Sequence, residues 1–129
     1  MMTYLIDTHI LIWYAENDSK LSQNSINIIS NLENQIYVSH ASLWEITIKK
    51  GLGKLDYPNS ISQMSYFLNL NLFSVLDFDF SHYNKYLELP LYHNDPFDRM
   101  LIAQAQAENF TIVTQDEKFK NYDISVVWN

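Results

Sequence analysis

Short apolar runs of strand composition recur along this chain, separated by segments of about ten residues with helical periodicity. That alternation constrains the fold more than any other feature. Strands are predicted at Thr3 to Ile6, Ile36 to Val38, Leu72 to Leu76, Thr111 to Thr114 and Ile124 to Trp128. Between them, helices are expected over His9 to Glu16 and after Ser22, the latter with Ile26, Ile29 and Leu32 in periodic spacing. Ser39 can cap a further helix whose apolar face would carry Ala41, Trp44 and Ile48, with Gly51 or Gly53 as the stop. Ile61, Met64, Phe67 and Leu68 mark another helix, and Asp79 to Leu87 is a fifth. Asp95-Pro96, an N-cap followed by a proline in the first turn, opens the last one. Strands and helices in this order build βαβ crossovers, and so a parallel sheet with helices on both faces.

In such sheets chemistry collects beyond the carboxyl ends of the strands. Asp7 directly follows the first predicted strand, and Asp116 follows the fourth by two residues. Glu45 and Asp98 are expected in the first turns of helices that begin at the same edge. Each acid also has an ordinary explanation. Asp7 and Asp116 can cap helical turns, Glu45 can pair with Lys49 at i+4, and Asp98 complements a helix dipole. Together they would repel one another in one cleft, and a hard cation such as Mg²⁺ or Mn²⁺ resolves that repulsion.

Composition sets bounds without deciding the function. All 129 residues fit a single domain, and a 47% hydrophobic content is enough for a core. No cysteine is present, which excludes disulfides, thiolate metal sites and thiol nucleophiles. Asp7 and His9 precede the apolar run Ile10 to Ala15, and no Lys or Arg occurs before Lys20, so the start does not read as a signal peptide. No run reaches the roughly 18 apolar residues of a membrane helix. A cytoplasmic protein away from membranes is expected. The net charge of -7 disfavours bulk electrostatic binding of nucleic acid, although bound cations would supply positive charge where phosphate is met.

Several stretches together resemble the PIN-domain ribonucleases of the VapC toxin type. They are Ile6-Asp-Thr-His9 with Trp13, Val38-Ser-His-Ala-Ser-Leu-Trp-Glu-Ile46, Ile48-Lys-Lys-Gly-Leu-Gly-Lys-Leu55, Leu89-Pro90, His93-Asn-Asp-Pro-Phe-Asp-Arg-Met-Leu-Ile-Ala-Gln-Ala105 and Val113-Thr-Gln-Asp116. The resemblance spans nearly the whole chain. It implies a PIN-like three-layer fold, a five-stranded parallel sheet of order 3-2-1-4-5, over residues 1–129 as one domain. It also implies a Mg²⁺- or Mn²⁺-dependent endoribonuclease that hydrolyses RNA with metal-activated water. As the toxin of a VapBC-type pair, the chain would be restrained by an antitoxin that places a side chain in the acidic cleft, and would form a homodimer. Asp7, Glu45, Asp98 and Asp116 match the family's four acids, and Asp95 is either an outer-shell acid or a cap.

Other side chains near the expected site carry two readings each. Thr8 and Ser39 are hydroxyls that either orient a carboxylate or cap helices. Arg99, the only arginine, either clamps a phosphate or pairs with Asp95. Lys49, with Lys50 and Lys54, either guides RNA or complements the end of its helix. The histidines show no metal-ligand spacing, and satisfied or surface roles are expected, with His93 nearest the site. Tyr4, Trp13, Trp44, Phe97 and Trp128 fall at core periodicities, so packing is expected rather than base stacking.

Three alternatives are weaker. A phospho-accepting receiver needs an acidic pair after strand 1 and a lysine after strand 5. A phosphatase of the Asp-x-Asp type needs an acid where His9 stands. A non-catalytic PIN module that binds RNA or protein usually lacks one or more of the acids that are all present here.

Overall fold

The first strand, β1 (Thr3–Ile6), lies at the centre of the sheet, where its apolar residues are covered on both sides. The computed structural model describes residues 2–128. After β1 come α1 (Thr8–Glu16), α2 (Gln23–Ser30), β2 (Gln35–Ser39), α3 (His40–Gly51), α4 (Ile61–Leu70) and β3 (Ser74–Leu76). The chain continues through α5 (Phe80–Glu88), α6 (Pro96–Glu108), β4 (Thr111–Val113), a 3₁₀ turn (Glu117–Asn121) and β5 (Val126–Val127). All strand pairs are parallel and the order is β3-β2-β1-β4-β5, as the resemblance implied.

Pleating sorts the side chains into two cores. Tyr4, Ile6, Ile36, Val38 and Val113 face one layer, built with Ile10 and Leu11 of α1, Ile29 of α2, Ile46 of α3 and Met64 and Leu68 of α4. Leu5 and Ile112 face the other, built from Leu101, Ile102 and Ala105 of α6, with Ala41 and Phe119. Neither face of the central strands meets water, which is why their sequences read as continuous apolar runs rather than alternating ones.

Register aligns the strand ends. Ile6 is opposite both Val38 and Val113, so Asp7, Ser39 and Thr114 follow at one level of the sheet edge. Asp7 extends the ladder by donating its backbone N–H to the Val113 carbonyl at 3.2 Å.

Some expected element boundaries moved for local reasons. β3 begins at Ser74 rather than Leu72, because Leu72 takes a left-handed φ of 59° and the amides of Leu72 and Phe73 close the end of α4 on Asn69 and Leu68. β5 is shorter than expected, since Ile124 is held in a turn by its bond to the Tyr122 carbonyl. Gly53, at φ 68°, provides the left-handed residue that stops α3. Leu32 lies beyond the end of α2 and is exposed, and Ile61 is exposed at the first position of α4. Trp44 is 58% exposed. The inward stripe of α3 is instead Ala41, Ser42, Glu45 and Ile46, one step around the helix from the expected face.

Candidate active site

Asp7 ends β1 and caps α1, its Oδ1 accepting the Ile10 N–H at 2.9 Å. The capping explanation therefore describes one oxygen only. Its Oδ2 accepts a hydrogen bond from the Thr114 hydroxyl, at the end of β4. The residue is 4% exposed, and burial pushes its carboxyl above the usual carboxylate range.

Glu45 sits in the second turn of α3 rather than the first, on the inward stripe, and is 3% exposed. The expected pair with Lys49 forms, but it is no surface pair, since the glutamate end is buried. Its other oxygen accepts from the Thr8 hydroxyl at 2.7 Å, and Thr8 lies 2.9 Å from the Ser42 hydroxyl. Thr8 thus orients a buried carboxylate. Lys49 gains by the same contact, its hydrogen bond to Glu45 holding the ammonium above its ordinary pKa.

Asp98 is the third residue of α6, which Asp95 caps by accepting the N–H groups of Phe97 at 2.8 Å and Asp98 at 3.1 Å. Burial, followed by the negative charges of Asp95, Asp7, Glu45 and Asp116, pushes the Asp98 carboxyl up to about 8. All the expected acids therefore act on one group. Asp116 caps the 3₁₀ turn through Oδ1, which accepts the Lys118 N–H at 2.9 Å, while its Oδ2 faces the cluster.

Between Asp98 and Asp116 stands His93, with Nε2 at 3.1 Å and 2.9 Å from their respective Oδ2 atoms. Its Nδ1 accepts the Asp95 N–H at 3.2 Å, so the ring proton is on Nε2 and points at the two carboxylates. Ligation through Nε2 would require moving that proton to Nδ1, against the Asp95 amide. His93 is therefore a hydrogen-bonding bridge, and the hard donors of the cluster are carboxylate oxygens. The loop bearing it is held by the Tyr122 hydroxyl, which accepts the N–H groups of Tyr92 and His93 and donates to the Pro90 carbonyl.

Sequence reasoning placed His93 near the site without a role, because no His spacing pointed to it. Thr114 was missed altogether. Its hydroxyl also accepts the Asp116 N–H at 3.0 Å, tying two acids to one side chain, and the only signal was a hydroxyl at a strand end two residues before an acid.

Ser39 and Arg99 are not at the site surface. The Ser39 hydroxyl is buried, accepts the Ala41 N–H at 2.9 Å and donates to Gln104 Oε1 at 2.6 Å, joining β2 to the middle of α6. Arg99 is 8% exposed, and its guanidinium does not pair with Asp95. It donates to the Pro90 carbonyl at 3.0 Å and lies 4.8 Å from the Tyr86 ring centroid, fastening α6 to the end of α5. Lys50 is likewise engaged, donating to the Tyr57 carbonyl at 2.8 Å. A cleft of about 650 Å³ opens beside the acids, with Asp7 and Asp116 on its wall.

The profile of the PIN domain matches residues 4–125. The chain belongs to the PIN domain family. Members of that family are in general nucleases, and the match agrees with the resemblance read from the motifs. No curated protein matches the chain by sequence. Among solved structures, this PIN domain is similar to VapBC2 from Rickettsia felis bound to a DNA fragment from their promoter. Identity there is 23%, over 99% of this chain and 100% of that one, with a TM-score of 0.71. DNA-bound VapBC from Salmonella typhimurium matches at 18% identity over 98% of both chains, with a TM-score of 0.72. FitAcB from Neisseria gonorrhoeae matches at 21% identity, covering 98% of this chain and 96% of that one, with a TM-score of 0.68. At these identities the likeness shows the fold. Among the described residues, no helix is long and apolar enough to cross a membrane.

Proposed function

We propose that this PIN domain is a divalent-metal-dependent endoribonuclease and the toxin of a VapBC-type pair. The observation that carries the reading is the convergence of Asp7, Glu45, Asp95 and Asp116 on Asp98, whose carboxyl is pushed up to about 8 by burial first and then by those charges. Nothing in a purely structural role calls for two buried carboxylates, Asp7 and Glu45, gathered with the half-buried Asp95, Asp98 and Asp116. Their donor set is oxygen, hard and multiply negative, which fits Mg²⁺ or Mn²⁺. When bound, such an ion supplies an acidified water and neutralises charge on a phosphodiester.

The chain's own groups then divide the work. Asp7 and Asp98, with Glu45, would hold the ion, and Asp116 would orient the attacking water at the rim of the cleft. Thr8, Thr114 and His93 are positioning residues, fixing Glu45, Asp7 and the Asp98–Asp116 pair respectively. In the hydrolysis, a water oxygen forms a bond to phosphorus, the ribose oxygen departs, and the water's protons pass to solvent and to the leaving oxygen. Asp95 shapes the site by capping α6 and by its charge on Asp98.

The partners proposed are a single-stranded RNA substrate and an antitoxin protein that fills the acidic cleft, in the cytoplasm. A homodimer is proposed as the assembled form, for which exposed Trp44, Phe78 and Phe80 offer apolar surface. The deciding experiment is cleavage of RNA by the purified protein with Mg²⁺ or Mn²⁺ and with chelator. Metal-dependent cleavage lost in Asp98→Asn supports the reading, and cleavage that is indifferent to metal or to that substitution overturns it.

A further inference from the structure

The cleft beside the acids has a second wall of different chemistry. Besides the acids Asp7, Asp116 and Glu117 it is lined by His9, Trp13, Gln115 and Trp128. Trp13 and Trp128 meet edge to face, their centroids 6.2 Å apart, and His9 lies 5.8 Å from Trp13. Both indoles are half-buried. They pack against the core as expected and also contribute to the lining of the cleft.

Trp128 is not a loose end of the chain. Its backbone carbonyl accepts hydrogen bonds from the hydroxyls of Ser22 at 2.7 Å and Ser25 at 2.9 Å, at the start of α2. Two converging hydroxyls on one carbonyl fix where the indole stands. Lys20 adds a cation, its Nζ 6.0 Å from the Trp13 centroid.

We infer that this wall is a nucleobase-binding subsite, which stacks a base of single-stranded RNA next to the phosphate held at the acids. The inference rests on the nuclease reading for its choice of ligand. The acidic wall repels the phosphate backbone wherever cations are absent, whereas an uncharged aromatic base suffers no such repulsion. Aromatic faces accept any base by stacking, and the Gln115 amide offers both a donor and an acceptor to a base edge. The volume, about 650 Å³, lies within the range of small-ligand pockets.

The test uses tryptophan fluorescence in the Trp44→Phe protein, which removes the exposed indole of α3 and leaves Trp13 and Trp128 as reporters. Adenosine and uridine 5′-monophosphates should quench the emission saturably in the millimolar range, and ribose 5-phosphate, which has no base, should not. Trp13→Leu should weaken that binding, and raise KM for RNA, about tenfold to a hundredfold while kcat stays within a few-fold. Gln115→Ala, at an exposed position, gives a milder loss and serves if Trp13→Leu does not fold.

Absent quenching, or equal quenching by ribose 5-phosphate, overturns the subsite and leaves the cleft to a partner protein's side chain. An unchanged KM in both variants does the same. Saturable quenching by nucleotides in a protein that never cleaves RNA would sink the nuclease reading while sustaining the subsite. Cleavage without quenching would do the reverse.

Discussion

The ends of β1 and β2 are built alike and serve different purposes. At each, a strand finishes in a polar side chain that caps the next helix, Asp7 for α1 and Ser39 for α3; Ser39 bonds Gln104 of α6, and the charge of Asp7 acts on Asp98 of the same helix. Ser39 meets the middle of α6, where the Gln104 amide closes around it. Asp7 meets the start of α6, about 9 Å earlier along the helix by the rise from residue 98 to 104. There the neighbouring strand is β4, across the switch point from β2, and a cleft opens between α1 and the segment that follows β4. One strand end is satisfied and closed. The other is short of positive charge and open.

That contrast is broken most severely by neutralising the open end. Asp7→Asn and Asp98→Asn should each lower RNA cleavage more than a hundredfold, beyond the usual effect of losing an orienting partner, and steady-state kinetics on purified protein checks this. Both should still fold, and at neutral pH the metal-free Asp98→Asn protein should melt higher than the parent, because folding then no longer has to bind a proton at that carboxyl. Retained cleavage would show that the open end is not the reaction centre.

Removing an orienting hydroxyl is the next largest effect. Thr114→Val should reduce activity or metal affinity about tenfold to a hundredfold, read as a shift in the Mg²⁺ or Mn²⁺ concentration giving half-maximal rate. Ser39→Ala, its counterpart on the closed side, should leave kcat and KM unchanged. It should lower stability by about 1–2 kcal/mol in denaturant unfolding, since it removes a cap and leaves the Gln104 carbonyl without its partner. A kinetic effect of Ser39→Ala equal to that of Thr114→Val would erase the distinction.

The smallest effect separates the two ends by pH. The Asp98 carboxyl titrates near 8 in the folded chain against 3.8 as the reference value, so between those values the folded state holds a proton that the unfolded state has lost. Stability of the metal-free protein should therefore fall as pH rises through that window. Melting temperatures measured in chelator from pH 5 to about 8 should decline less in Asp98→Asn than in the parent. Millimolar Mg²⁺ should raise the melting temperature at the alkaline end by binding the folded state. A flat parent profile with no metal effect would mean the acids do not converge as described.

Much of this was legible in the chain itself. Strand composition placed Asp7 and Asp116 beyond strand ends, and Asp-Pro marked the cap that brings Asp98 to the start of α6. Glu45 was harder, because the run Ala41, Trp44 and Ile48 suggested a buried face through Trp44, which the helix instead leaves exposed. The inward stripe carries Ser42 and Glu45, whose buried carboxylate is satisfied by Lys49 and Thr8, partners that no local pattern revealed together. Arg99 read equally as a phosphate ligand or a partner of Asp95, because charged side chains usually reach solvent or a nearby opposite charge. Its carbonyl partners at Tyr86, Leu89 and Pro90 come from the end of α5 and the loop beyond it, about ten residues before it in the chain, and no local pattern announced them.

By itself, then, the amino-acid sequence determined the elements, their parallel arrangement and the acids at their ends, since periodicity and capping are local properties that each segment carries. Tertiary structure alone decided which polar side chains share a space. Thr114 joins Asp7 from 107 residues away, His93 bridges to Asp116 across 23, and Ser39 finds Gln104 across 65. Such partnerships depend on which strands are neighbours and how far along a helix each strand end falls, and that is settled only when the layers pack.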